Sequence, residues 1–222
     1  MINRKSSYQT ILKHILEIKM NSIIKKISAP LANALIENKI ITPNPLQLKI
    51  ISKINSGADL IIQSPENTGK TTSLIITTIH KLKHPFEDAA RALIIVPSIE
   101  HAIEMETQFK LFAEGSKLRI HAAHEGGKID QQNEEIYFGA DIIIGTPRRM
   151  MEIYFRKNIN ITKIKLFAID DAEIIVKNLH QGEIHRLADS LPKCQHLVFT
   201  NKYSEKIESM IQKMMVAPQI II

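Results

Sequence analysis

The 222-residue chain has one cysteine, eight glycines, only 5% aromatic residues and no apolar run near the roughly 18 uncharged residues a membrane-spanning helix requires. A single cysteine excludes a disulfide framework and a multi-cysteine zinc site, and it suits a reducing compartment; Cys194 reads as a small buried apolar residue. The start, Met1-Ile-Asn-Arg-Lys, lacks a secretory h-region and cleavage site. The expected location is therefore cytoplasmic, with no membrane partner. No internal repeat, low-complexity tract or linker interrupts residues 28–222. What is present, 44% hydrophobic and 23% charged residues, is the composition of one ordinary globular domain.

The formal charge of +6 is unevenly placed. Residues 1–27 hold six basic side chains (Arg4, Lys5, Lys13, Lys19, Lys25 and Lys26) against Glu17, whereas the rest of the chain nearly balances at 23 basic and 22 acidic. Apolar residues at Ile11, Leu12, Ile15, Leu16, Ile23, Ile24 and Ile27 recur with roughly helical period between those lysines. This basic N-terminal extension is expected to be helical. It is read either as a helix packed on the domain with a solvated lysine face, or as an arm that binds RNA or a partner protein.

From residue 58 onward, isoleucine- and valine-rich runs (59–62, 92–96, 118–123, 141–144, 166–169, 196–199 and 220–222) alternate with helical patterns near 70–82, 99–113, 129–138, 147–157, 172–190 and 203–215. Apolar strands alternating with helices predict an α/β domain: a parallel sheet covered by helices on both faces, whose binding residues lie at the carboxyl ends of the strands.

The first of these runs leads into Ser64-Pro65-Glu66-Asn67-Thr68-Gly69-Lys70-Thr71. Gly-Lys-Thr where a buried strand turns into a helix has a physical use. Backbone N–H groups and the helix N-terminus cradle phosphates, the lysine reaches the outer phosphates, and the threonine hydroxyl ligates Mg²⁺. Serine at 64 departs from the general pattern, which has glycine there. About a hundred residues on, Leu166-Phe-Ala-Ile169 ends in Asp170-Asp171-Ala172-Glu173. A carboxylate at a strand tip beside a phosphate loop is the usual holder of the nucleotide's Mg²⁺. Thr146-Pro147 starts a helix, and Arg148 and Arg149 follow where a helix N-terminus can hold a backbone phosphate. Gly126-Gly127 permits close backbone approach.

These segments resemble, in order and spacing, the motifs of the DEAD-box RNA helicases over roughly residues 22–222, the N-terminal RecA-like P-loop NTPase domain of that family. Thr42-Pro43-Asn44-Pro45-Leu46-Gln47 is similar to the Q motif, 64–71 to motif I and Val96-Pro97-Ser98-Ile99-Glu100-His101-Ala102 to motif Ia. Gly126-Gly127 resembles the paired-glycine motif, Thr146-Pro147-Arg148-Arg149 motif Ib, Asp170–Glu173 the acidic box, and Phe199-Thr200-Asn201-Lys202 motif III. The resemblance implies ATP and Mg²⁺ as cofactors and RNA as partner. It implies that Gln47 reads adenine, that Ser64, Glu66, Asn67, Thr68, Gly69, Lys70 and Thr71 hold the phosphates, and that Asp170, with Thr71, holds the metal. Asp171 would handle the attacking water. Pro97, Ser98, Gly126, Gly127, Thr146, Pro147, Arg148 and Arg149 would contact RNA, and Glu173 and Thr200 would couple the two activities.

Departures from the family temper these expectations. Glu66-Asn67 replaces Thr-Gly, although asparagine tolerates a left-handed backbone. Asp171 is one methylene shorter than the family's glutamate, and misplacing a catalytic group by about an ångström can cost on the order of 100-fold. Motif III keeps a hydroxyl at Thr200 and loses its last one, and Ile99 stands where motif Ia has arginine. With no aromatic between Tyr8 and Phe86, the stack on adenine is missing. The chain stops where the family's first domain ends, so the second RecA-like domain with its arginine fingers is expected to be missing; such a finger is worth about 10³ to 10⁵ in rate.

The expectation is an ATP- and RNA-binding domain with weak or no autonomous hydrolysis or unwinding. The alternative is a non-catalytic, degenerate helicase domain serving as an RNA- or protein-interaction module. The nine histidines do not suggest a metal centre, since His80 and His84 lack the glutamate of a zinc-protease helix and His121 and His124 would face opposite ways on a strand. Met210, Met214 and Met215 read as the core side of a helix.

Overall fold

The computed structural model describes residues 27–38, 44–54, 56–157 and 159–222. The basic extension, except Ile27, lies outside the described residues, as do Thr42 and Pro43. Seven strands, β1 (Leu60–Gln63), β2 (Ala92–Ile95), β3 (Ile120–Ala123), β4 (Ile142–Gly145), β5 (Leu166–Ile169), β6 (Gln195–Thr200) and β7 (Gln219–Ile221), form one sheet in the order β3-β4-β2-β5-β6-β1-β7. Every neighbouring pair runs parallel. The helices are α1 (Ala29–Glu37), α2 (Pro45–Ile54), α3 (Lys70–Leu82), α4 (Ile99–Ala113), α5 (Ile129–Tyr137), α6 (Pro147–Phe155), α7 (Ala172–Lys177), α8 (Gln181–Ser190) and α9 (Glu205–Ile211).

The continuous apolar strands follow from burial on both sides. Side chains alternate across a strand, so Leu60 and Ile62 enter a core with Ile50, Leu74 and Phe109, while Ile61 enters the opposite core with Met150, Ile184 and Met210. Each face needs apolar residues, so no polar alternation survives in the sequence. Met210 is buried on α9 as expected, but that helix ends at Ile211, so Met215 is buried beyond it and Met214 only partly buried. None of the helices is long and apolar enough to cross a membrane among the described residues.

The structure differs from the sequence reading in two respects. The helix expected over 172–190 is two, because Leu179 adopts a left-handed φ of 62° between α7 and α8. Ahead of β1, α1 and α2 add cover to one face and were not anticipated. The start of α2 is a reciprocal cap: the Gln47 N–H donates to Asn44 Oδ1 and the Asn44 N–H to Gln47 Oε1, both at 2.9 Å.

At the amino ends of β2, β3 and β4, Asp141 is fully buried and accepts from Arg91 Nη2 at 2.7 Å and from Arg119 Nε at 2.9 Å. These three residues immediately precede β4, β2 and β3 and tie those strand ends together. Burial alone would push the Asp141 carboxyl up, but the hydrogen bonds from Arg119 and Arg91 outweigh it and hold it below the ordinary carboxylate range. A depressed carboxylate stabilises the fold above its unfolded-state pKa and loses that contribution as pH falls. Asp141→Ala leaves Arg91, 3% exposed, without its counter-charge. It should lower the unfolding free energy at pH 7 by about 3 to 5 kcal/mol, measured by urea denaturation, with the deficit shrinking in acid.

Candidate functional site

The carboxyl ends of β1, β6 and β5 lie side by side, and the loops leaving them build a cleft of about 560 Å³. Within the loop after β1, Asn67 and Gly69 take left-handed φ values of 59° and 83°. Asparagine thus does what the sequence required of it. A Cβ at Gly69 would also lie 2.8 Å from Gln47 Nε2, so a side chain there would have to displace the Gln47 amide. The loop is braced internally by the Thr68 hydroxyl, which donates to the Pro65 carbonyl at 2.7 Å, and externally by Asn44 Nδ2, which donates to the Thr68 carbonyl at 2.7 Å.

Lys70 and Thr71 open α3, so the unpaired N–H groups of that helix and the positive end of its dipole face the cleft. The Lys70 ammonium donates to the carbonyls of Ser64 (2.7 Å) and Pro65 (2.8 Å) and to Asn201 Oδ1. The Thr71 hydroxyl donates to Asp170 Oδ2 at 2.8 Å and joins loop to acidic box across 99 residues of sequence. The other oxygen of Asp170, Oδ1, is buried with no hydrogen-bond partner among the described residues. Burial first, and then the neighbouring Asp171 charge, push the Asp170 carboxyl up to about 6 against the Thr71 hydrogen bond. An orphaned carboxylate oxygen beside a threonine hydroxyl is the hard-oxygen donor set that suits Mg²⁺.

Asp171 occupies the N-cap position of α7 with a left-handed backbone, φ 48°, and its side chain makes no capping hydrogen bond. Burial and Glu173 raise its carboxyl, while His101 and Lys70 draw it down. His101 Nε2 stands 3.4 Å from Asp171 Oδ2. Glu173 Oε2 accepts from the Thr200 hydroxyl at 2.7 Å and from the Asn201 N–H at 3.2 Å, which ties the acidic box to the end of β6. Glu66, on the loop, is 3.5 Å from Asn201 Nδ2.

Gln47 is buried, with Oε1 committed to its helix cap and Nε2 against Gly69. The structure brings it under the phosphate loop; it is not among the described residues lining the cleft. The sequence reading did not single out Asn44, His101, Glu104 or Asn201 as site residues. Two of them carried a signal. Asn44-Pro-Leu-Gln47 is a capping-box pattern, and His101 lies three residues past Ser98, whose hydroxyl caps α4 by accepting the His101 N–H at 3.2 Å.

Motifs Ia and Ib converge on a shallower depression of about 250 Å³ lined by Pro97, Ser98, Glu125, Thr146, Pro147 and Arg148, whereas Gly126 and Gly127 are not among the residues lining it. The adjacent arginines are used differently. Arg148 is exposed, 3.4 Å from Glu152, whereas Arg149 is buried and donates to the Gly127 carbonyl (3.0 Å) and Gln132 Oε1 (2.7 Å). Gly127 is pressed against Gln132 as well, where a Cβ would collide at 2.2 Å. The Thr146 hydroxyl donates to Glu125 Oε2 at 2.7 Å.

Comparison with known proteins agrees with this arrangement. The family model for DEAD/DEAH box helicases matches residues 44–210. The chain is 27% identical to the ATP-dependent RNA helicase eIF4A of Candida albicans, covering 71% of this chain and 39% of that protein. It is 32% identical to the ATP-dependent RNA helicase DBP10 of Eremothecium gossypii, covering 71% and 17%. It therefore spans well under half of these relatives. A crystal structure of a DEAD box protein from the hyperthermophile Methanococcus jannaschii superposes with a TM-score of 0.82 at 22% identity, covering 87% of this chain and 53% of that one, and shares the RecA-like fold. With the phosphate loop, acidic box and parallel sheet in register with one another, the chain belongs to the DEAD/DEAH box helicase family.

Proposed function

We propose that this chain is the ATP- and RNA-binding N-terminal domain of a DEAD-box RNA helicase-like protein, with little or no hydrolysis or unwinding of its own. The observation that carries the reading is the Thr71–Asp170 hydrogen bond, which joins phosphate loop to acidic box beside a buried, partnerless carboxylate oxygen. The N–H groups at the start of α3 receive phosphate oxygens, and Lys70 supplies the positive charge. Thr71 and Asp170 would hold Mg²⁺, which when bound supplies neutralisation of the phosphate charge. Asp171 holds the proton acceptor for the attacking water, and its raised carboxyl makes it a better base than an ordinary aspartate. Its short side chain works against it, so slow turnover is the expected result.

RNA would lie across the depression of motifs Ia and Ib, with Arg148 on a phosphate. Arg149 acts beneath, fixing the paired-glycine turn. A second reading, a non-catalytic RNA- or protein-interaction module, is favoured by Glu125, whose charge occupies the Thr146 hydroxyl where a phosphate would dock.

Isothermal titration should detect Mg-ADP binding below millimolar concentration, weakened at least tenfold in Lys70→Ala; absent binding, or binding indifferent to that substitution, rejects the nucleotide reading. For RNA, Arg148→Ala should weaken binding to a single-stranded oligonucleotide and reduce the salt slope by about 0.7, one phosphate contact. Arg149→Ala should instead lower the melting temperature. Equal behaviour of the two variants would contradict the division of roles.

A third test concerns the cost of the metal site. The Asp170 carboxyl is raised to about 6 in the fold from an ordinary value of 3.8, so its contribution to stability is present in acid and lost as pH rises through about 6. At pH 7.5 the buried charge costs on the order of 2–3 kcal/mol. Asp170→Asn should therefore raise the unfolding free energy of the nucleotide-free protein at pH 7.5, measured in urea, with the gain narrowing toward pH 5. An Asn variant no more stable at pH 7.5 would contradict it.

A further inference from the structure

The lysine that must meet a polyphosphate is already fully engaged. An ammonium has three donors, and in Lys70 they go to the Ser64 carbonyl, the Pro65 carbonyl and Asn201 Oδ1. The first two acceptors belong to the loop that carries the lysine, five and six residues away in sequence. The third comes from the end of β6, 131 residues away, and is a side chain. A nucleotide must displace one of these three acceptors; the two carbonyls move only with the loop backbone, so the acceptor that can yield by a side-chain rotation is Asn201.

Asn201 is held for this task. Its N–H is fixed on Glu173 Oε2 at 3.2 Å, and Thr200 before it is fixed on the same oxygen at 2.7 Å. Its Nδ2 is 3.5 Å from Glu66 Oε1, on the phosphate loop itself. The amide therefore lies across the cleft mouth with its oxygen on Lys70 and its nitrogen toward Glu66, and all three residues line the cleft. Both Glu66 and Asn201 are departures from the family pattern, and the fold brings them to each other. They form a strap over the lysine, with the carbonyl dipole of Asn201 standing where a phosphate oxygen would be received.

We propose that Asn201 is an internal competitor for Lys70, an autoinhibitory latch that lowers the affinity of this site for nucleoside di- and triphosphates. The proposal rests on the nucleotide-binding reading above and specifies how that site is restrained. Because the competitor is neutral and uncharged phosphates do not exist in the ligand, a polyphosphate displaces it, at the expense of the hydrogen bond it makes. Removing the amide should let Lys70 turn into the cleft without that cost, whereas converting it to a carboxylate should strengthen the hold.

The test uses the whole chain and two opposed variants. Asn201→Ala should bind Mg-ADP about tenfold more tightly than wild type by titration, and Asn201→Asp should bind it more weakly. A nucleotide-free readout accompanies this: acylation of the Lys70 ε-amine by acetic anhydride, followed by peptide mass spectrometry, should rise severalfold in Asn201→Ala and fall in Asn201→Asp. Weaker nucleotide binding by both variants would make Asn201 a contact to the ligand and overturn the latch. If Lys70-dependent nucleotide binding is seen and neither affinity nor acylation changes in Asn201→Ala, the latch is wrong and the nucleotide reading stands. If no variant binds nucleotide while acylation still follows the predicted order, the capture of Lys70 stands and the nucleotide reading fails.

Discussion

Burial of the sheet on both faces is the constraint from which the site follows. Leu60, Ile62, Leu166, Ala168, Leu197 and Phe199 enter one core, and Ile61, Phe167, Ile169 and Val198 the other. Polar groups have no place along such strands, where an unpaired one would cost several kcal/mol. They collect where the strands end. At the amino ends the group is structural, Asp141 between Arg91 and Arg119. At the carboxyl ends, parallel pairing puts the tips of β1, β6 and β5 next to one another, so Lys70 meets Asn201 and Thr71 meets Asp170 although each pair is far apart in sequence.

The two ends treat buried charge in opposite ways. Asp141 is fully paired, and its carboxyl is held low. Asp170, 1% exposed, has one oxygen on a hydroxyl and the other on nothing, and its carboxyl is raised to about 6. The unpaired Oδ1 leaves Asp170 open to a ligand, although among the described residues Arg91 Nε and Glu173 Oε1 are buried without a partner as well.

The fold was legible because burial writes itself into composition. Runs such as Ala92–Ile95 and Leu166–Ile169 are too short for a helix and read as buried strand by their length, and the helices between them follow by their period. The break at Leu179 was not legible, since leucine carries no turn signal and rarely adopts the left-handed φ of 62° found there. At the site, Gly69-Lys70-Thr71 and Asp170 could be named because local chain geometry fixes what they do. The partners that modify them could not. That His101 reaches Asp171, that Asn201 reaches Lys70, and that Arg149 points inward while Arg148 points out are consequences of tertiary placement. Sequence adjacency even misled in the last case, by presenting two arginines as one pair.

Charge in the cleft adds a further step. Its walls include Glu66, Glu104 and Asp171 against Lys70, with His101 between. A polyphosphate entering such a site meets repulsion that one lysine does not offset, so the helix N-terminus and a cation must supply the difference. The positive charge of the chain does not, because it resides almost wholly in residues 1–27 while the remainder nearly balances. Net charge and site charge therefore have opposite signs in this protein. A +6 chain is, at the loop after β1, an acidic cleft whose lysine already donates to Asn201 Oδ1.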